Sequence, residues 1–268
     1  MIREPQNAAA AMGILDRIKH SLRVRAGGYL SSEPVLENST GYRILDEGIR
    51  PPLNGWRDAA VAERQHQAFV PLLQEARSGR PREDFVVAAR AVKATKIDNP
   101  LVIEVGCGSG YYSETLPLLL EEPISYLGVD YSESMTSLAH GLYPTALFVT
   151  GDACSLPFAS DCCDILLSGT SLMHIADYRR AIAESVRVSR RWCIFHTVPV
   201  LTARPTTFLT KQAYGKDVIE VIFNREELEQ IFSTQGLVTE AVFESIPYDV
   251  SAVLGEATST LTWLSRKS

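Results

Sequence analysis

The chemistry this chain can perform is concentrated in one glycine run, three acids and two histidines. Glycines 106, 108 and 110 stand in the segment Leu101-Val-Ile-Glu-Val-Gly-Cys-Gly-Ser-Gly110-Tyr111. A glycine turn between a strand and a helix lets the backbone approach a ligand closely and take up φ > 0. The helix start beyond it offers free N–H groups and the positive end of a dipole. Glu104 lies two residues before Gly106, and an acid buried there needs a cationic ligand group or backbone N–H groups as partner. Asp130 closes Leu127-Gly-Val-Asp-Tyr131-Ser, where a carboxylate can accept both hydroxyls of a ribose or, more plainly, charge or cap a helix start. In Gly151-Asp152-Ala153, Asp152 can accept from an adenine amino group while the next N–H donates to a ring nitrogen. The alternative is an ordinary turn Asp. His174 and His196 are the candidates for a base active near neutral pH. Packing or capping is the competing role for His174, and bonding to backbone for His196.

These residues need a scaffold that delivers them to one edge. Leu101–Val105 is a continuous apolar run of the kind found in a central parallel strand. Further strands are predicted at 124–129, 146–149, 163–167 and 192–198. Helices are predicted to about residue 120, from Ser132 to about 142, at 178–188 and at 226–234. Alternating βα units mean a doubly wound α/β domain with a mostly parallel sheet. Two last strands, 237–244 and 258–265, have no helix between them and read as an antiparallel edge pair. Glu104, Asp130 and Asp152 then fall at the carboxyl ends of successive strands, the edge where open α/β sheets bind ligands.

Residues 1–97 show no βαβ alternation. They are predicted as an N-terminal helical extension with helices near 7–25, 56–77 and 82–94, and a loop over 31–55 rich in glycine and proline. The loop 38–56 holds Tyr42, Arg43 and Trp56, with Arg57 just beyond, so the extension is expected to act as a lid. The two-part organisation is 1–97 and 98–268.

Bulk composition limits the alternatives. The chain has 268 residues, 46% of them apolar, and a formal net charge of −6. That balance argues against a broad cationic nucleic-acid surface. No apolar stretch reaches 18 residues, so no membrane span is expected. Five cysteines without zinc-ligand spacing favour reduced thiols in a cytoplasm over a disulfide framework or a metal site. The oligomeric state is open between monomer and homodimer.

Taken together, the motifs resemble those of class I S-adenosylmethionine-dependent methyltransferases. Glu104-x-Gly106-x-Gly108-x-Gly110 is similar to their first motif, and Asp130 to the acid after strand two. Gly151-Asp152-Ala-Cys-Ser-Leu-Pro157-Phe158 is similar to the adenine-side motif. Cys163-Asp-Ile-Leu-Leu-Ser168 through His174 resembles strand four and its loop. The resemblance covers residues 97–245. It implies a Rossmann-like seven-stranded sheet with a reversed last strand and S-adenosylmethionine as cofactor. It further implies a cofactor site made of Glu104, Gly106, Cys107, Gly108, Gly110, Tyr111, Asp130, Tyr131, Met135, Asp152, Ala153 and Ser168. Catalytic roles fall on His174 first and His196 second, and the expected partner is a small-molecule acceptor with a hydroxyl or amine. The stretch 199–224 is longer than a minimal core requires and is expected to cover the substrate.

Two other readings stay open at this level. A nicotinamide enzyme also places an acid such as Asp130 about 20 residues beyond a glycine loop. Against it, the third glycine comes one residue early for G-x-G-x-x-G, with Tyr111 in its place. A cofactor-binding regulator without catalysis would keep the same motifs.

Overall fold

A computed structural model describes residues 41–46 and 54–268, all within the unit Leu36–Ser268. The predicted helix at 7–25 and most of the predicted loop lie outside the described residues. In chain order the elements are β1 (Tyr42–Ile44), α1 (Ala59–Arg77), α2 (Glu83–Ala94), β2 (Leu101–Val105), α3 (Tyr112–Leu120), β3 (Ser125–Asp130), α4 (Glu133–Leu142), β4 (Leu147–Thr150), β5 (Cys163–Gly169), α5 (Tyr178–Val188), β6 (Ser189–Leu201), β7 (Thr207–Ala213), β8 (Lys216–Asn224), α6 (Arg225–Thr234), β9 (Leu237–Glu244), α7 (Ser251–Leu254) and β10 (Ser259–Lys267). Single 3₁₀ turns occur at Gly55–Arg57 and Leu172–His174. Short polar side chains start several helices by accepting an otherwise unpaired N–H. Asp58 accepts from Ala60, Ser132 from Met135 and Asn224 from Glu227.

The centre of the molecule is the run β4-β3-β2-β5-β6, paired in parallel throughout. β10 pairs antiparallel with β6 on one side and with β9 on the other. Those strands are the expected doubly wound seven-stranded sheet with its reversed last strand. β10 lies between β6 and β9, so of the two strands expected as an edge pair β9 alone is at an edge. One face carries Phe85, Ala88 and Ala91 of α2 and Tyr112 of α3 against Val102, Ile165 and Ile194. The other carries Ile182 of α5 and Phe232 of α6 against Phe195 and Trp263.

Three further strands enlarge the sheet to ten, a departure from the seven expected. β7 and β8 form an antiparallel hairpin closed by Tyr214-Gly215, both at positive φ (53° and 83°), the backbone that a two-residue hairpin turn requires. β1 pairs with β7, Tyr42 opposite Lys211. It is a strand inside the segment predicted as loop, and a three-residue edge strand gives no periodicity to read. β8 reads Val218-Ile-Glu-Val-Ile-Phe223 and is buried on both faces, so it shows no alternation either.

The hairpin is placed by β6. β5 pairs with β6 as far as Gly169 opposite His196, and β8 takes over at Val200 and Leu201. β10 already occupies the other edge at Val200. β8 therefore continues along the edge that β5 leaves, beyond the carboxyl end of β5.

The division expected at residue 97 does not coincide with a break in packing. Phe85, Ala88 and Ala91 are fully buried against the sheet, and Leu73 and Ala76 of α1 join the same cluster.

Candidate functional site

The carboxyl ends of β2, β3, β4 and β5 meet at the glycine loop. Asp130 ties two of them together. Its Oδ2 accepts the Gly108 N–H at 2.9 Å and its Oδ1 accepts the Ser132 N–H at 2.9 Å. Burial pushes this carboxyl up to about 6, and the two N–H donors oppose the shift. Gly151 N–H donates to the Asp130 carbonyl at 2.9 Å, which sets Asp152 beside the same edge. Asp152 is exposed, and its Oδ1 accepts the Cys154 N–H at 2.8 Å in a local turn. Ala153 follows, partly buried against the core.

Glu104 is the most unusual group here. It has no exposed surface, and burial pushes its carboxyl up to about 8. Tyr126 donates its hydroxyl to Oε2, while Oε1 has no hydrogen-bond partner. Glu104 Oε1 also lies against Gly169, where any larger side chain would collide with it. A buried polar atom left without a partner is costly, and the described residues supply none for Glu104 Oε1. Ser168 hydrogen-bonds Ser171 across 3.0 Å, and Ser171 donates to the Val105 carbonyl at 2.7 Å. The end of β5 is thereby pinned to the glycine loop. Thr170 and Thr197, neighbours across β5 and β6, are β-branched residues at positive φ (57° and 53°), a strained backbone that clusters at functional sites.

Not every residue of the expected cofactor set turns its side chain to this edge. Cys107 packs on Ala139 and Phe148, so only its backbone belongs to the loop. A side chain at Gly110 would meet Phe148 and Ala139, so that glycine serves close helix–strand packing. The Tyr111 ring stacks on Phe69 at 4.3 Å among Phe85 and Tyr112. Tyr131 carries the Arg57 guanidinium 4.9 Å above its ring, and Met135 packs with Val61 and Ala62 of α1.

The two histidines differ sharply. His174 Nδ1 lies 2.8 Å from the Ile219 carbonyl of β8. A carbonyl only accepts, so Nδ1 carries the proton and Nε2 keeps its lone pair. Burial pushes this imidazole down to about 4; nearby Glu220 opposes the shift and Lys211 reinforces it. The ring is therefore neutral at pH 7, and the titration expected for a histidine base lies well below the ordinary histidine range. His196 is fully buried, with Nδ1 2.9 Å from Thr262 Oγ1 and Nε2 2.9 Å from Thr197 Oγ1. Both nitrogens are engaged inside the sheet, and burial lowers this group also to about 4. The arrangement fits a structural polar bridge, so it does not support the catalytic role considered for His196.

Trp56, Tyr214 and Lys211 are legible in sequence as residues of the lid loop and the insertion, whereas Arg64, Gln65 and Glu220 gave no signal there. The Trp56 ring sits 4.8 Å from His174 and 6.0 Å from Tyr214. Arg64 of α1 donates to the Tyr214 carbonyl at 2.5 Å. A Cβ placed on Gly108 (φ 53°) would lie 2.9 Å from Gln65 Nε2 and 3.0 Å from its Oε1. Behind His174, Glu220 is fully buried, ion-paired with Lys211 and hydrogen-bonded by Tyr248. Among the described residues no helix is long and apolar enough to cross a membrane.

Comparison with known proteins places this geometry in context. A methyltransferase domain family matches residues 103–195. A probable S-adenosylmethionine-dependent methyltransferase of Mycobacterium tuberculosis is 25% identical over 143 residues, 53% of this chain and 50% of that protein. The phthiotriol/phenolphthiotriol dimycocerosates methyltransferase of the same species is 37% identical over 102 residues, 36% of this chain and 37% of that protein. The matches thus span half or less of these relatives' length. A solved Burkholderia thailandensis 1,6-didemethyltoxoflavin-N1-methyltransferase, with S-adenosylhomocysteine bound, covers 85% of this chain and 95% of its own at TM-score 0.54 and 19% identity. At that identity the likeness is one of fold.

Proposed function

We propose that this chain, which belongs to the class I S-adenosylmethionine-dependent methyltransferase family, binds that cofactor at the carboxyl edge of its sheet and methylates a hydroxyl or amine of a small molecule. The observation that carries this reading is Glu104 Oε1, a buried acceptor without a partner beside the glycine loop. A cationic ammonium is the complement it lacks, and the amino-acid end of the cofactor carries one. Asp130 would accept from the ribose hydroxyls with lone pairs that its two N–H donors leave free. The Ala153 N–H and Asp152 would face the adenine edge.

S-adenosylmethionine supplies an electrophilic methyl group on a sulfonium whose departure leaves a neutral thioether. Because that leaving group is good, the contribution of the protein is mainly positioning and exclusion of water. The glycine loop and Asp130 hold one reactant. His174, Trp56 and Tyr214 form a wall on the β5 and β8 side that suits the other. His174 Nε2 is the atom with a lone pair available to take the acceptor proton. A base of such low pKa suits an amine whose proton leaves after the methyl arrives, better than a hydroxyl that must be ionised first.

The relatives support a small organic acceptor, since one is a methyltransferase of phthiotriol/phenolphthiotriol dimycocerosates and the other of 1,6-didemethyltoxoflavin. The free cysteines support a reducing compartment such as the cytoplasm. A turnover assay over panels of small hydroxyl and amine acceptors, read by mass spectrometry, tests the reading. S-adenosylhomocysteine formation that depends on acceptor is expected. Cofactor binding with no turnover on any acceptor would favour a non-catalytic role.

A further inference from the structure

The glycine loop has a neighbour that is not part of the doubly wound core. Gln65 lies on α1, outside the residues matched by the methyltransferase family. Its side-chain amide rests on Gly108 so closely that a Cβ there would meet both Nε2 and Oε1 at 2.9–3.0 Å. Gly108 is the residue whose N–H is held by Asp130. Gln65 Oε1 is buried and has no hydrogen-bond partner, and the same holds for Glu104 Oε1 and Ser109 Oγ. The loop is thus bordered by two partnerless buried acceptors and by a partnerless hydroxyl that can donate.

α1 holds Gln65 firmly in that place. Arg64 is bonded to the hairpin turn at Tyr214, and Val61 and Ala62 pack on Met135. Arg57 lies over Tyr131 just before the helix begins. A carboxamide offers an acceptor oxygen and two donor hydrogens at one site. A zwitterionic α-amino acid is its complement, with an ammonium to donate and a carboxylate to accept. Buried polar groups are rarely left unpaired, and the ammonium and carboxylate of a zwitterion are the groups that the Gln65 amide beside Gly108 lacks.

We infer that Gln65 is a cofactor-positioning residue that recognises the amino-acid end of S-adenosylmethionine from outside the core domain. The inference rests on the cofactor reading above. It makes α1 part of the binding site, and it makes the site selective for ligands that carry the α-amino acid over those that carry only the nucleoside and thioether.

Two probes separate these elements. S-adenosylhomocysteine has the amino-acid end, and 5′-methylthioadenosine lacks it. Calorimetry of the full chain with each probe, for wild type and Gln65→Met, is the test. Methionine keeps the length and apolar contact with Gly108 but has no amide. S-adenosylhomocysteine is expected to bind Q65M about 10- to 100-fold more weakly, the span for lost bonds to charged groups. 5′-Methylthioadenosine is expected to bind both forms within about twofold. Unchanged binding of S-adenosylhomocysteine would overturn the inference, and so would equal weakening of both probes, which marks a packing role. If Q65M does not fold, Gln65→Ala replaces it, removing the amide with no added bulk beside Gly108, and the same split between probes is expected. A wild type that binds neither probe removes the cofactor reading itself, whereas a Q65M that binds both normally removes only the role of Gln65.

Discussion

The Gly108 N–H donates to Asp130 at 2.9 Å, so the glycine loop and the acid that closes β3 form one unit. The same carboxylate also takes the Ser132 N–H at the start of α4. Removing it strands two N–H groups that are otherwise paired. Asp130→Ala is therefore expected to lower stability by about 2–4 kcal/mol, from two lost charge-assisted bonds. It is also expected to weaken S-adenosylhomocysteine binding by about 1.5–3 kcal/mol. Chemical denaturation and calorimetry measure the two effects. A loss of stability with native affinity would show that the carboxylate only organises the loop.

Glu104 couples binding to protons. Its carboxyl is raised to about 8, so the free protein holds the proton at pH 7, and folding is favoured below the usual carboxylate range and penalised as pH rises toward 8. A cation placed against Oε1 favours the ionised form. Binding of S-adenosylhomocysteine at pH 7 is expected to release about one proton. The check is the slope of binding enthalpy against buffer ionisation enthalpy. Glu104→Gln is expected to abolish the release, weaken binding and leave the free protein no less stable at pH 8. A slope of zero in the wild type would mean that the acid stays protonated and meets no cation.

His174 is neutral at pH 7 because burial holds it near 4. Its neutral form is the base, so the contribution of His174 to kcat is present above about pH 5 and lost as pH falls through about 4. The kcat profile is expected to be flat with respect to this group between pH 6 and 8. His174→Ala is expected to cut kcat about 10²-fold, the low end for a positioned base since the imidazole is weakly basic. KM for S-adenosylmethionine is expected to stay within about twofold. A rate limb near pH 6.5 that vanishes in the variant would contradict the burial seen here.

Much of the core was legible because its signals are local. The apolar run Leu101–Val105, the glycines after it, and Asp130 and Asp152 one strand further each time place these residues at the carboxyl edge of the sheet, where the structure has them. Ser132 announces its helix by the same capping chemistry that the structure displays. The surroundings of His174 were less legible because they are assembled by long-range contacts. Nothing near His174 in sequence points to Ile219 or Trp56, which reach it from 45 residues after and from the segment before α1. Gln65 stands in Glu63-Arg64-Gln65-His66-Gln67, a polar run that reads as a solvated helix face. Burial also moved His174 and His196 away from the titration that residue type alone implies.

Helices α1 and α2 contribute to the core. Phe85, Ala88 and Ala91 of α2 are fully buried against the sheet. Deleting residues 1–97 exposes that face, and each large buried side chain is worth about 1.5–3 kcal/mol. Such a truncate is expected to lack a cooperative thermal transition rather than to bind cofactor without turnover. Calorimetric melting decides it, and a truncate that melts cooperatively and binds S-adenosylhomocysteine would restore a separable lid.

The most direct measurement is isothermal calorimetry of the full chain with S-adenosylhomocysteine and, in parallel, with NAD. The carboxylate and glycine geometry at Glu104, Gly108 and Asp130 leads to binding of S-adenosylhomocysteine in the micromolar range, about −8 kcal/mol, with no comparable heat from NAD. Binding of NAD with no binding of S-adenosylhomocysteine would contradict the methyltransferase reading at its root.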